Sequence, residues 1–237
     1  MSPDPATIRI AVDVEEDAAG VARRAAAVLA AACRASVRAR GSCAVAVSGG
    51  TTPLAMFGAL AEEDVPWAAL GIWQADERVA PSGHDDRGLT HLVGSLPAPG
   101  RACVRAMPVD DIDPDDDAAL AAAAAAYAAE LPERFDLIHL GLGPDGHTAS
   151  LVPGDAALEV RDRLVTITGP YQGRRRMTLT YPALDRARHI LWLATGASKA
   201  DALRLLRSRD PSIPASRVAA PDQLAVVDRT AWSDATR

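Results

Sequence analysis

The chain has 237 residues and a formal net charge of −6, with 49% hydrophobic and only 4% aromatic residues. That length fits one soluble domain whose core is filled by aliphatic side chains and alanine. The negative balance gives no reason to expect nucleic acid or an anionic membrane as partner, although it leaves room for a local cationic pocket. Cys33, Cys43 and Cys103 are widely spaced and form no CxxC pair, which argues against a disulfide framework or zinc site and for reduced thiols. The chain does not open on a charged segment followed by an apolar one, and charges break the alanine-rich runs. Neither a secretory signal nor a spanning helix is expected, and the expected location is cytoplasmic.

In chain order, Thr7 to Asp13 alternate like a first strand. Glu15 to Arg40 follow as a helix, acidic at its start and basic at its end, stopped by Gly41. Cys43 to Val47 reads as a buried strand, then SGGTTP leads into a helix from about Pro53. Leu70 to Ala75 is a strand running into a charged turn, Asp76-Glu77-Arg78. Asp86 to Leu96 is expected as helix and Ala102 to Met107 as a shorter strand. The acidic run Asp110 to Asp117 precedes an alanine helix, Ala118 to Leu131. Counted from Asp111, calcium-loop positions six and twelve hold Asp116 and Ala122 instead of glycine and glutamate, so the run is read as helix capping.

Phe135 to Leu140 is a buried strand that opens into GLGPDGHTAS and a short helical stretch ending before Pro153. Leu164 to Thr168 and Met177 to Thr180 are further strands, with a basic turn, Gly173 to Arg176, between them. Tyr181 to Ala187 is a turn or short helix. His189 to Thr195 is a strong buried strand, Gly196 and Lys199 begin a helix reaching about Arg207, and Leu224 to Asp228 is the last strand. Alternating strands and helices, with strands written as continuous apolar runs, specify a mostly parallel sheet with helices on both faces, a Rossmann-like three-layer α/β sandwich. One domain spanning 1–237 is expected.

Two familiar patterns fail on context. GLGPDG satisfies GxGxxG, but Pro144 stiffens the turn and Pro153 interrupts the helix. The ribose-binding acid that should end a second strand is also missing. AVSGG is one substitution from a nucleophile elbow, yet nothing before Ser48 offers an oxyanion loop. Ser48, Gly49, Gly50 and Thr51 make better sense as an anion cradle before a helix N-terminus. Asp76, Arg78, Arg176 and Lys199 fall at strand or helix ends on the same expected side of the sheet, where cations would build a phosphate pocket. Of the five histidines, His139 lies within a strand and reads as a satisfied core or sheet-face residue, and His84, His91 and His189 have no obvious constellation. His147 follows Asp145 by two residues at a strand's end, the arrangement an oriented general base needs. Histidine spacing implies no metal.

SGGTTP (Ser48 to Pro53), DERVAP (Asp76 to Pro81), LGLGPDGHTASLVPG (Leu140 to Gly154), RMTLTYPAL (Arg176 to Leu184) and TGASKADAL (Thr195 to Leu203) together resemble the 6-phosphogluconolactonase family. The resemblance implies the fold shared with glucosamine-6-phosphate deaminase, and hydrolysis of a sugar-phosphate lactone, 6-phospho-D-glucono-1,5-lactone, in the oxidative pentose phosphate pathway without metal or cofactor. It implies that His147 activates water beside Asp145 and that Arg78 is an active-site arginine. Gly49, Gly50 and Thr51 would be part of the phosphate cradle, and Arg176 and Lys199 would lie near phosphate or carbonyl. Arg87-Gly88 departs from the family's Ser-Asn pair, so Arg87 either replaces that contact or is exposed. The related deaminase places a glutamate where this chain has Val152, which cannot carry a proton. A non-catalytic sugar-phosphate binder is the alternative from another class, disfavoured by the intact Asp145 and His147. A monomer or weak homo-oligomer is expected.

Overall fold

The computed structural model describes Ile8 and residues 10–235. Among the described residues, ten strands occupy two sheets. The larger is wholly parallel, built from β1 (Ile10–Glu15), β2 (Cys43–Val47), β3 (Leu70–Gln74), β5 (Val104–Arg105), β6 (Leu137–Gly141), β9 (His189–Ala194) and β10 (Asp222–Asp228), in the order β1-β10-β9-β6-β2-β3-β5. β4 (Asp76–Arg78), β7 (Val165–Ile167) and β8 (Arg176–Leu179) form a separate antiparallel sheet, ordered β4-β8-β7.

β2, β6 and β9 are buried on both faces, as their apolar runs anticipate. One face is covered by α1 (Ala18–Arg40), α2 (Thr51–Ala59) and α3 (Gly88–Ser95), through Leu29, Met56, Phe57 and Leu92. The other is covered by α5 (Asp117–Ala129), α7 (Ala200–Arg207) and α8 (Arg229–Ala235), with Leu120, Tyr127, Leu203 and Ala231 in its core. α4 (Ala98–Arg101) and α6 (Tyr181–Leu184) are single turns. Asp17 caps α1 through the Gly20 N–H at 2.7 Å, and Gly41 closes it in the left-handed conformation, φ 78°. Asp116 caps α5 through the Ala119 N–H, the capping role read from the acidic run.

Several expectations are corrected. Asp76-Glu77-Arg78 is a strand, not a turn, because β8 pairs with it, Arg78 opposite Arg176. The segment after His147 is not helical: Thr148 and Leu151 bridge each other and Ala149 takes a positive φ of 47°. The first strand runs from Ile10, and the Thr7 and Arg9 portion of its anticipated range lies outside the described residues. α8 had no clear sequence signal.

His139 in β6 is fully buried but not satisfied, since neither ring nitrogen has a hydrogen-bond partner. Phe57 meets its ring edge-on. Burial pushes its pKa down to about 3. Below about pH 6.5 the unfolded chain takes up a proton here that the folded chain refuses, so stability present above pH 6.5 is lost as pH falls toward 3. The loss is at most about 1.4 kcal/mol per pH unit. The fall in urea-unfolding free energy from pH 7 to pH 5 is therefore expected to be about 2 kcal/mol smaller in His139→Leu. Equal falls in both proteins would refute the assignment.

Candidate active site

β2 and β6 are neighbours, and the chain leaves their carboxyl ends toward opposite faces of the sheet. Such a switch point opens a crevice. The cleft found there has a volume of about 570 Å³, and four successive strands supply its walls. β3 leads into Asp76 and Arg78, β2 into Ser48 to Pro53, β6 into Gly141 to His147, and β9 into Thr195 and Lys199.

The β2 loop reaches the first turn of α2 without a side-chain cap, leaving the N-terminal amides of that helix open to the cleft. Ser48 Oγ is buried without a hydrogen-bond partner. Thr52 and Thr195 join hydroxyls at 2.8 Å and tie this loop to the end of β9.

In β4 the two-residue period separates the acids. Asp76 and Arg78 share the cleft side with Arg176, opposite Arg78 in β8, while Glu77, which also lines the cleft, turns its carboxylate to the N–H groups of Gly88 and Leu89. Asp76 accepts the Ser150 hydroxyl at 2.6 Å. Burial pushes its carboxyl above the usual range, against the opposing pull of Ser150 and Arg176. Arg78 donates to the Asp86 carbonyl at 2.9 Å. Arg176 donates to Gln172 Oε1 at 3.2 Å but leaves Nε buried and unpartnered. Burial lowers the pKa of Lys199, with Asp145 nearby opposing the shift.

His147 Nδ1 lies 2.6 Å from Asp145 Oδ1, and the His147 backbone N–H donates to the same oxygen at 3.2 Å. Burial alone would raise the Asp145 pKa. The hydrogen bonds from His147 outweigh burial and hold it below the ordinary carboxylate value, so it stays an anion. Nδ1 therefore carries the proton that Asp145 accepts, leaving Nε2 as the acceptor nitrogen of the neutral ring. The turn holding the pair is tight: Gly143 N–H donates to the His147 carbonyl at 2.9 Å, and Gly146 N–H to the Gly143 carbonyl at 2.9 Å. A Cβ on Gly143 would collide with His147 Nδ1 and lie 2.6 Å from Asp145 Oδ1. Gly146 combines a φ of 79° with close packing on Ile213. These glycines admit the acid–imidazole pair.

Nine of the ten sequence-derived site residues line the cleft, namely Ser48, Gly49, Gly50, Thr51, Asp76, Arg78, His147, Arg176 and Lys199. Asp145 stands behind His147. His91, which had no constellation in sequence, also lines it. Arg87 overturns both of its expected roles. Its side chain is 1% exposed and lies outside the cleft lining, bound to Asp110, to the Ala80 carbonyl at 2.9 Å, and facing Glu77 Oε2 at 3.3 Å. Sequence reasoning missed Glu77, Tyr171 and Ser150. Glu77 had no local signal, because DER is a strand only through its pairing with β8, and Ser150 and Tyr171 act through contacts 74 and 26 residues away. Val152 is buried, 8% exposed, and outside the cleft lining. Among the described residues no cluster of three or more His, Cys, Asp or Glu could hold a metal, and no helix is long and apolar enough to cross a membrane.

A three-layer α/β fold with an acid–imidazole pair and a cationic cleft at its switch point defines the class of protein. The chain belongs to the glucosamine-6-phosphate isomerase/6-phosphogluconolactonase family, whose model matches residues 16–232. A 6-phosphogluconolactonase from Synechocystis is 40% identical over 173 residues, 69% of this chain and 71% of that one. The crystal structure of 6-phosphogluconolactonase from Thermotoga maritima superposes with a TM-score of 0.81 at 26% identity, covering 93% of this chain and 100% of that one. A monomeric glucosamine-6-phosphate deaminase shares the fold, at TM-score 0.77 and 17% identity.

Proposed function

We propose that this protein hydrolyses 6-phospho-D-glucono-1,5-lactone to 6-phospho-D-gluconate in the oxidative pentose phosphate pathway, acting in the cytoplasm as one domain without a covalent intermediate. The observation that carries the reading is the 2.6 Å Asp145–His147 contact inside a cleft walled by three cations. The substrate phosphate docks on the amides of Gly49 to Thr51 at the start of α2, with Lys199 beside it. The ring then lies with C1 near His147. Nε2 removes a proton from water as the oxygen attacks C1, and Asp145 stabilises the imidazolium that forms. Arg78 offsets the negative charge that develops on the carbonyl oxygen, while Arg176, opposite it in β8, joins Lys199 at the phosphate. Collapse of the tetrahedral species breaks the bond from C1 to the ring oxygen, and the imidazolium returns its proton to that leaving oxygen. The deaminase alternative needs an acid at position 152, where valine cannot act.

The test is lactone consumption corrected for spontaneous hydrolysis, on phosphorylated and unphosphorylated gluconolactone side by side. The phosphorylated substrate is expected to be strongly preferred. Lys199→Ala and Arg176→Ala should each raise KM for it by about 10- to 100-fold, the loss of one charge-assisted hydrogen bond, with a smaller change in kcat. Equal activity on both lactones in the parent protein would sink the phosphate pocket.

A further inference from the structure

We propose that Tyr171 is a positioning residue for the Asp145–His147 pair, an assignment that rests on His147 being the base. Tyr171 lies in the connection between β7 and β8 and touches three members of the site. Its hydroxyl donates to Asp145 Oδ2 at 3.3 Å. Its ring meets the His147 ring edge-on, centroids 5.4 Å apart, and the Arg176 guanidinium stacks 5.0 Å from its face. Asp145 thus has Oδ1 on the imidazole and Oδ2 on the phenol. A carboxylate anchored through only one oxygen can rotate about its terminal bond and exchange oxygens. A donor on the second oxygen fixes its plane and keeps Oδ1 on Nδ1, while the phenol ring restricts rotation of the imidazole.

The backbone is shaped to deliver this side chain. Tyr171 and Arg174 exchange backbone hydrogen bonds at 2.9 and 3.3 Å around a two-residue turn in which Gln172 and Gly173 have φ of 52° and 78°. Positive φ at both central residues matches the right-handed twist of hairpin strands, and a glutamine adopts it only against a steric cost. Arg174 ties the turn down with an ion pair to Asp86 at 2.9 Å. The phenol therefore reaches Asp145 from an anchored hairpin.

The experiment compares kcat and KM of the parent, Tyr171→Phe and His147→Ala on the phosphorylated lactone, and follows the hydrogen-bonded Nδ1 proton of His147 by NMR, identified by its loss in His147→Ala. Tyr171→Phe keeps the ring and removes one hydrogen bond. It is expected to lower kcat about 3- to 10-fold, leave KM within about twofold, and speed exchange of the Nδ1 proton with solvent. Parent-like kcat in Tyr171→Phe beside an inactive His147→Ala overturns the Tyr171 assignment alone. Reduced kcat with an unchanged Nδ1 proton also overturns it, because the hydroxyl would then act by another route. Parent-like turnover in His147→Ala overturns the base reading beneath it.

Discussion

His147→Ala is expected to lower kcat on the phosphorylated lactone by about 10²- to 10⁴-fold, the usual contribution of a positioned base, while leaving KM and the unfolding midpoint close to those of the parent. The separation follows from where the ring stands. The imidazole is at the cleft surface, 22% exposed, and its one charged partner is Asp145, itself 39% exposed, so its removal leaves no buried charge unpaired. In the proposed reaction, phosphate binding falls to other elements, the α2 amides, Arg176 and Lys199. Stopped-time lactone assays on both proteins, with spontaneous hydrolysis subtracted, check the kinetic side, and urea unfolding checks the structural side. A parent-like kcat would show that water is activated elsewhere. A collapse of stability would show that His147 belongs to the scaffold instead.

What could be read in advance follows the range of the interactions involved. CAVAV and HILWLA announce buried parallel strands because one apolar run is enough to specify them, and the structure places both at the centre of the sheet. Asp145 and His147 were legible for the same reason, as strand, glycine turn, acid and imidazole are consecutive. DER gave no local sign of being a strand, because its partner lies about a hundred residues away and three charged residues have no apolar pattern of their own. Reading His139 as satisfied applies the rule that buried polar groups find partners, which this residue breaks; nothing in the structure explains why a histidine stands there. Tyr171 reaches the site only because the turn at Gln172-Gly173 folds β7 against β8. Its proline, glycine and β-flanked setting signalled a turn, not a contact with Asp145.

Replacing Glu77 by alanine should destabilise the protein by about 3–5 kcal/mol and remove activity with it, although Glu77 performs no chemistry in the proposed reaction. Its side chain is 0% exposed, accepts four hydrogen bonds and faces one buried cation. The donors are the backbone N–H groups of Arg78, Gly88 and Leu89 at 2.7, 2.8 and 2.7 Å and Gln74 Nε2 at 2.8 Å, and the cation is the Arg87 guanidinium, 3.3 Å away. The two amides at Gly88 and Leu89 open α3, whose N-cap position is held by Arg87 and offers no side-chain cap, so a carboxylate from β4 serves instead. Truncation leaves the Arg87 charge, 1% exposed, with only Asp110 as acidic partner, and orphans the start of α3. Both costs fall on the segment that carries Asp76 and Arg78 into the cleft. Glu77→Gln keeps acceptors for the amides but loses the charge facing Arg87, and should retain a large share of the stability. Urea unfolding of parent, Glu77→Gln and Glu77→Ala orders the three. An Ala variant as stable as the parent would mean that Arg87 is compensated elsewhere and that β4 does not depend on this carboxylate for its place beneath the cleft.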